Sequence, residues 1–138
     1  MFERCLYFNV NSFTRKVNKI WDEAFQSLGL SPAHAYLLRL VLEQPGLTQK
    51  EIAAELNLEK STITRFVDVL EDRGYLQRKK NGREQVIFPT TKAQKIEREL
   101  NEKGDELYQA MIANIGKDKL ITLVNQIRKT NGALSKSD

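Results

Sequence analysis

Cysteine and histidine each occur once in the 138-residue chain, as Cys5 and His34. One cysteine excludes an internal disulfide framework, and one cysteine with one histidine cannot supply an ordinary zinc site. Long apolar runs are missing too: nothing approaches the roughly 18–20 residues that a membrane span requires. The opening MFERCLYFNV sets Glu3 and Arg4 before only a few apolar residues. It lacks a signal peptide's long apolar stretch and small-residue cleavage site. The expectation is a cytoplasmic protein with no cofactor, no metal and no membrane association. Catalytic motifs are equally scarce. The chain has no GxGxxG, GxxxxGK[ST] or HExxH, Gly116-Lys117-Asp118 is not a P-loop, and one histidine restricts any Ser/His/Asp set. An enzyme is therefore not expected.

Acid is scarce in one window. From Arg73 to Lys95 seven basic residues stand against a single acid, Glu84. The whole chain carries only +4, so the remainder is slightly acidic. A basic segment on a near-neutral body is the footprint of local contact with a polyanion. A solvated lysine-rich loop gives the same count, so charge alone does not decide.

What is present is mostly helical periodicity. Val10, Phe13, Val17, Ile20, Trp21, Ala24 and Leu28 follow three- and four-residue steps and predict one amphipathic helix over 5–28, stopped by Gly29. Ser31-Pro32 reads as an N-cap and first-turn proline for a second helix, which ends before Pro45-Gly46. Thr48 and Glu51 have capping-box spacing and open a third helix, closed by Asn57. A fourth helix runs from about Lys60 to Arg73, with Ile63, Phe66, Val67 and Leu70 inward. The period then changes. Residues 75–78 and 84–88 read as strands around Asn81-Gly82, a strong hairpin signal, and Pro89 ends the second. Thr91 to Gln94 reads as another capping box, opening a long helix interrupted by Gly104 and ended by Gly116. A last helix uses Leu120, Leu123, Val124 and Ile127 and frays from Thr130.

Helix, helix, helix and hairpin between 32 and 88 is the order of a winged helix. Its core is a helix-turn-helix, whose tight turn fixes residue types at set offsets. Ile52, Leu56, Leu58, Ile63 and Phe66 face inward, Ala53 is small where the helices cross, and Asn57 takes the left-handed turn position. The expected fold class is mainly α with a small β-hairpin wing (α+β). A single domain, 1–138, holds a DNA-binding lobe at 30–90 and dimerisation helices at 1–29 and 91–138. Those terminal helices exceed half the chain, too much apolar face for the lobe to cover alone.

The fourth helix is then the recognition helix. Winding at about 100° per residue puts Ser61, Thr62, Arg65, Asp68 and Val69 outward, with Thr64 at the flank. Hydroxyls and helix N–H groups hold phosphates, and arginine pairs bidentately with guanine. Asp68 suits a salt bridge, with Arg65 or a wing arginine, better than a phosphate surface. In the wing, Arg83 beside Asn81 suits a minor groove, and Lys79 and Lys80 suit the backbone. A winged module that binds only protein predicts a wing without this cationic character.

The stretches SPAHAYLLRLV, LTQKEIAAEL, EKSTITRFVDVLEDRGYLQR and NGREQVIFPTTKA resemble the MarR (multiple antibiotic resistance regulator) family of bacterial transcription factors. The likeness is close over 30–93 and extends along the chain in helix order. The family's wing usually carries Asp-x-Arg and then Leu-Thr; here Asn81-Gly82-Arg83 and Pro89-Thr90 stand there. The resemblance implies a homodimeric repressor on a pseudo-palindromic DNA operator, released by a small aromatic or apolar effector held between the dimer helices and the winged lobe. Phe8, Phe13, Trp21, Phe25 and Tyr36 are candidate lining residues, although aromatic residues at helical spacing also make ordinary core. Some relatives sense organic hydroperoxides through a cysteine near the start of the first helix, assisted by tyrosines. Cys5 falls about two residues before that position, a rotation of about 200° on a helix. It reads either as such a redox sensor, with Tyr7 nearby, or as an inert small side chain.

Overall fold

The structure, a computed structural model, describes residues 1–135. Its backbone groups into two compact units, Met1–Lys103 and Gly104–Asp138. The first unit contains α1 (Leu6–Phe25), a 3-10 turn (Gln26–Leu28), α2 (Pro32–Glu43), β1 (Leu47–Thr48), α3 (Gln49–Leu56), α4 (Lys60–Asp72), β2 (Leu76–Asn81) and β3 (Glu84–Pro89). Helix α5 (Thr91–Ile115) starts in the first unit and ends in the second, which also holds α6 (Lys117–Ser135). The fold is mainly α with a three-stranded antiparallel sheet in the order β1-β3-β2.

Local chemistry sets most element ends. Ser31 caps α2 by accepting from the His34 amide, with Pro32 in the first turn. At α3, the Thr48 hydroxyl accepts from the Glu51 amide at 3.1 Å and the Glu51 carboxylate accepts from the Thr48 amide at 3.2 Å, a complete capping box. Asn57 ends α3 in the left-handed region at φ 53°, ψ 49°, as the helix-turn-helix spacing requires. No other non-glycine described residue has positive φ.

The core of the first unit is the inward face of the winged lobe. Leu37, Leu38 and Val41 of α2, Ile52 of α3, Ile63, Val67 and Leu70 of α4, and Ile87 of β3 are completely buried, joined by Phe25 from α1 and Leu100 from α5. The terminal helices are covered far less. Val10, Phe13 and Ile20 of α1 and Ile121, Val124 and Ile127 of α6 are each 41–47% exposed.

Several expectations need correction. The hairpin turn is Gly82-Arg83, because Asn81 is the last residue of β2 and pairs with Glu84. Gly82 has φ 67° and Arg83 does not have positive φ, which places glycine where a type II′ turn needs it. The cap of α5 is Thr90, whose hydroxyl accepts from the Ala93 amide at 3.3 Å, not Thr91. Gly104 sits buried inside a continuous α5, and α6 runs past Thr130 to Ser135. Leu58 lies in the turn, 38% exposed, rather than in the core. Strand β1 was not foreseen; its two residues pair Leu47 with Ile87 and Thr48 with Val86. No helix among the described residues is long and apolar enough to cross a membrane.

Candidate nucleic-acid interface

Helix α4 divides by its period. With Ile63, Val67 and Leu70 buried, Ser61, Arg65, Asp68 and Val69 turn to solvent. Ser61 and Arg65 share that face as expected. Thr62 is half-buried at its edge. Thr64 is half-buried too, and its hydroxyl is engaged inside the protein, 2.9 Å from Gln49 Oε1 and 3.0 Å from the Lys60 carbonyl. The first turn of α4 has no side-chain cap, so its backbone N–H groups stay open beside Ser61.

The wing is fastened to this helix by one arginine. Arg78 of β2 pairs with Asp68 through Nη2 and with Glu71 through Nη1, the latter at 2.8 Å. Its backbone N–H also donates to Glu71 Oε2 at 3.3 Å. The wing-arginine partner foreseen for Asp68 is therefore the one found. Arg78 is thus no free cation of the wing: its side chain is only 17% exposed. The signal was available in Asp68 and Glu71, three residues apart and so on one helix face, opposite a strand carrying a single arginine.

Other cations of the basic window are also engaged internally. Arg73 donates to the Gly29 carbonyl at 2.8 Å, and Lys92 donates to the Arg73 carbonyl at 2.5 Å. Both stack on Tyr75, at 5.5 Å and 4.4 Å from the ring centre. Lys79 lies exposed but over the Phe88 ring at 4.8 Å, on the strand face opposite Arg78. Lys80 shares the strand face of Arg78, the face turned to α4, and lies nearer the tip. Lys80, Asn81 and Arg83 are exposed. Among the described residues none of Arg65, Lys80 and Arg83 has an ion pair. An arginine of α4, a wing lysine and a turn arginine thus present free positive charge.

The aromatic candidates separate into two groups. The Trp21 indole N–H donates to the Tyr36 hydroxyl at 3.0 Å, and Phe25 meets Tyr36 edge-on at 5.6 Å. Phe8 and Phe13 sit on the exposed half of α1, where Phe8 contacts Phe2 and Tyr7. A depression of about 370 Å³ in the first unit is lined by Asp22, Glu23, Gln26, Gly29, Leu30, Ser31 and Pro32, and by none of the five aromatic candidates. Cys5 is half-buried at the N-cap position of α1. His34 has Nδ1 2.9 Å from Ser31 Oγ and its ring edge against Phe66 of α4. Burial, then the Arg73 charge, hold its pKa below the usual histidine value. Among the described residues no cluster of three or more acid, histidine or cysteine side chains fits a metal ion.

A family model described as MarR family matches residues 28–84. An uncharacterized HTH-type transcriptional regulator of Bacillus subtilis (strain 168), YwoH, is 30% identical over 113 residues, 80% of this chain and 82% of that protein. Among solved structures, the S. aureus MepR–DNA complex matches with TM-score 0.81 at 18% identity, covering 96% of this chain and 99% of the other. CouR from Rhodococcus jostii RHA1, bound to p-coumaroyl-CoA, matches with TM-score 0.73 at 25% identity, covering 99% and 96%. The chain belongs to the MarR family of winged-helix transcriptional regulators, which are DNA-binding proteins and not enzymes.

Proposed function

We propose that the chain is a homodimeric repressor of a two-fold symmetric operator, acting in the cytoplasm and released by a small aromatic or apolar effector. Residues 30–90 read the DNA, and 1–29 with 91–138 pair the two copies. The observation that carries this reading is the set of unpaired cations, Arg65 on the outer face of α4 and Lys80 and Arg83 at the wing tip, beside Arg73, Arg78 and Lys92, which are all engaged internally. Folding uses the second group and leaves the first for an external anion. In this docking Ser61, Thr62 and Arg65 enter a major groove. Arg83 enters the neighbouring minor groove with Asn81, and Lys79 and Lys80 follow the backbone. The MepR–DNA complex supports a duplex as ligand.

Dimerisation is supported by the half-exposed apolar residues of α1 and α6. An effector is supported by the ligand of CouR. Of the aromatic candidates, Trp21, Phe25 and Tyr36 are the three that cluster, and Trp21 precedes Asp22 of the depression, the space an effector would enter.

Selection of bound duplexes from a random pool tests the reading. The expected product is an inverted repeat with half-site centres about 10 base pairs, roughly 34 Å, apart or a multiple of that. A single unrepeated site, or no retained duplex at low salt, overturns it. Val124→Glu with Ile127→Glu should give monomers in sedimentation and weaken operator binding.

A further inference from the structure

Thr64 stands among the residues expected to touch DNA, yet its hydroxyl is turned to Gln49. Gln49 is the first residue of α3 and is half-buried. A glutamine amide has an acceptor end and two N–H donors. The acceptor end is held by Thr64 at 2.9 Å, and the two donors have no partner among the described residues. The donors are not sealed from solvent, so water can take them in the free protein and an acceptor from outside the fold can replace that water. The backbone end of α3 is closed separately, because Thr48 and Glu51 satisfy one another. The open donors therefore belong to the Gln49 side chain and not to the helix terminus.

Position selects the acceptor. Thr64 precedes Arg65, so Gln49 lies at the edge of the α4 face that bears Ser61 and Arg65. In helix-turn-helix docking, the helix before the recognition helix crosses the sugar-phosphate backbone, and glutamine is among the side chains that bond phosphate oxygens. Resting on the docking proposed above, we infer that Gln49 donates to a DNA phosphate and that Thr64 is its positioning residue, holding the amide with its donors outward. Thr64 thereby leaves the set of direct DNA contacts, and Gln49 joins the interface.

The test uses the full-length protein with two duplexes of equal length, the selected operator and a scrambled sequence. Gln49→Glu still accepts from Thr64 but sets a carboxylate against the phosphate; it should bind both duplexes about tenfold or more weakly than wild type. Thr64→Val should lose severalfold on both duplexes, and Thr64→Ser should restore binding. In a Gln49→Leu background, Thr64→Val should cost nothing further. Wild-type binding by Gln49→Glu overturns the inference. So does a loss confined to the operator, which marks a base contact, or an undiminished cost of Thr64→Val beside Gln49→Leu. A wild type that binds neither duplex overturns the docking itself, and this inference with it.

Discussion

Replacing Arg78 with methionine distinguishes a scaffold role from a DNA contact. Methionine keeps the apolar stem and removes the guanidinium. The loss comprises the pairs with Asp68 and Glu71 and a long 3.4 Å bond to the Thr64 carbonyl. Asp68 and Glu71 are 57% and 40% exposed, so water and salt screen each pair, and each contributes about 0.5–1 kcal/mol. The two carboxylates, three residues apart, then repel by a few tenths of a kcal/mol. The bond from the Arg78 backbone N–H to Glu71 survives. The total is a destabilisation of about 1–2 kcal/mol. It lowers the unfolding midpoint by about 4–8 °C at fixed protomer concentration. Duplex binding should weaken through a loosened wing. Because this guanidinium neutralises carboxylates and not phosphates, the slope of log affinity against log salt should stay at the wild-type value. A phosphate-bound arginine would lower that slope by about 0.9 per protomer. Thermal unfolding followed by circular dichroism, with fluorescence titration at several salt concentrations, measures both quantities. A wild-type midpoint, or a slope reduced by about 0.9 per protomer, refutes the reasoning.

Three further outcomes follow. Lys80→Ala should weaken all duplexes alike and reduce the salt slope by about 0.9 per protomer, while Arg65→Ala should cost about 1–3 kcal/mol on the selected operator and relax its sequence preference; competition binding with mismatched duplexes separates the two. Asn57→Ala should destabilise the fold by about 1 kcal/mol or more, and Asn57→Gly should be far milder, because only the alanine suffers at φ 53°; chemical denaturation ranks them. The folded chain holds His34 less basic than the unfolded chain does, so the unfolded state binds more protons as pH falls below about 6.5. His34 therefore adds full stability above that pH and loses it progressively toward its lower folded value. Unfolding midpoints between pH 5 and 8 should fall on acidification more steeply in wild type than in His34→Gln.

Legibility tracked how local the determining chemistry is. Asn57, the Thr48–Glu51 box and the Ser31-Pro32 cap each act within a few residues, and each is found where its spacing puts it. Strand β1 was invisible because two residues carry no periodicity; only pairing with β3, some forty residues on, makes them a strand. Adjacent threonines hid which one caps α5, and Asn-Gly concealed the true turn because Gly-Arg one step later serves equally well. At the candidate site, helical winding sorted Ser61 and Arg65 outward correctly. It could not foresee that Arg78 is captured by two carboxylates or that Thr64 is held by Gln49, since both depend on neighbours distant in sequence. Counting charge measured the window; only geometry separates cations that hold the fold from cations left over.

The two ends of α4 are held unequally. Beyond its last turn, Arg73 is bonded to Gly29 and receives Lys92, while its first turn lacks any side-chain cap. Toward that end Ile63 is buried in the core and Thr64 is bonded to Gln49, which tie it to α3 instead. Ser61 lies about 18 Å from Arg73 at about 1.5 Å per residue, so a tilt of about 10° about Arg73 would carry it about 3 Å. That sweep exceeds the span over which an N–H···O bond keeps its strength. Ties at both ends, small in themselves, thus decide whether the outer face of α4 keeps its place to within a bond's tolerance.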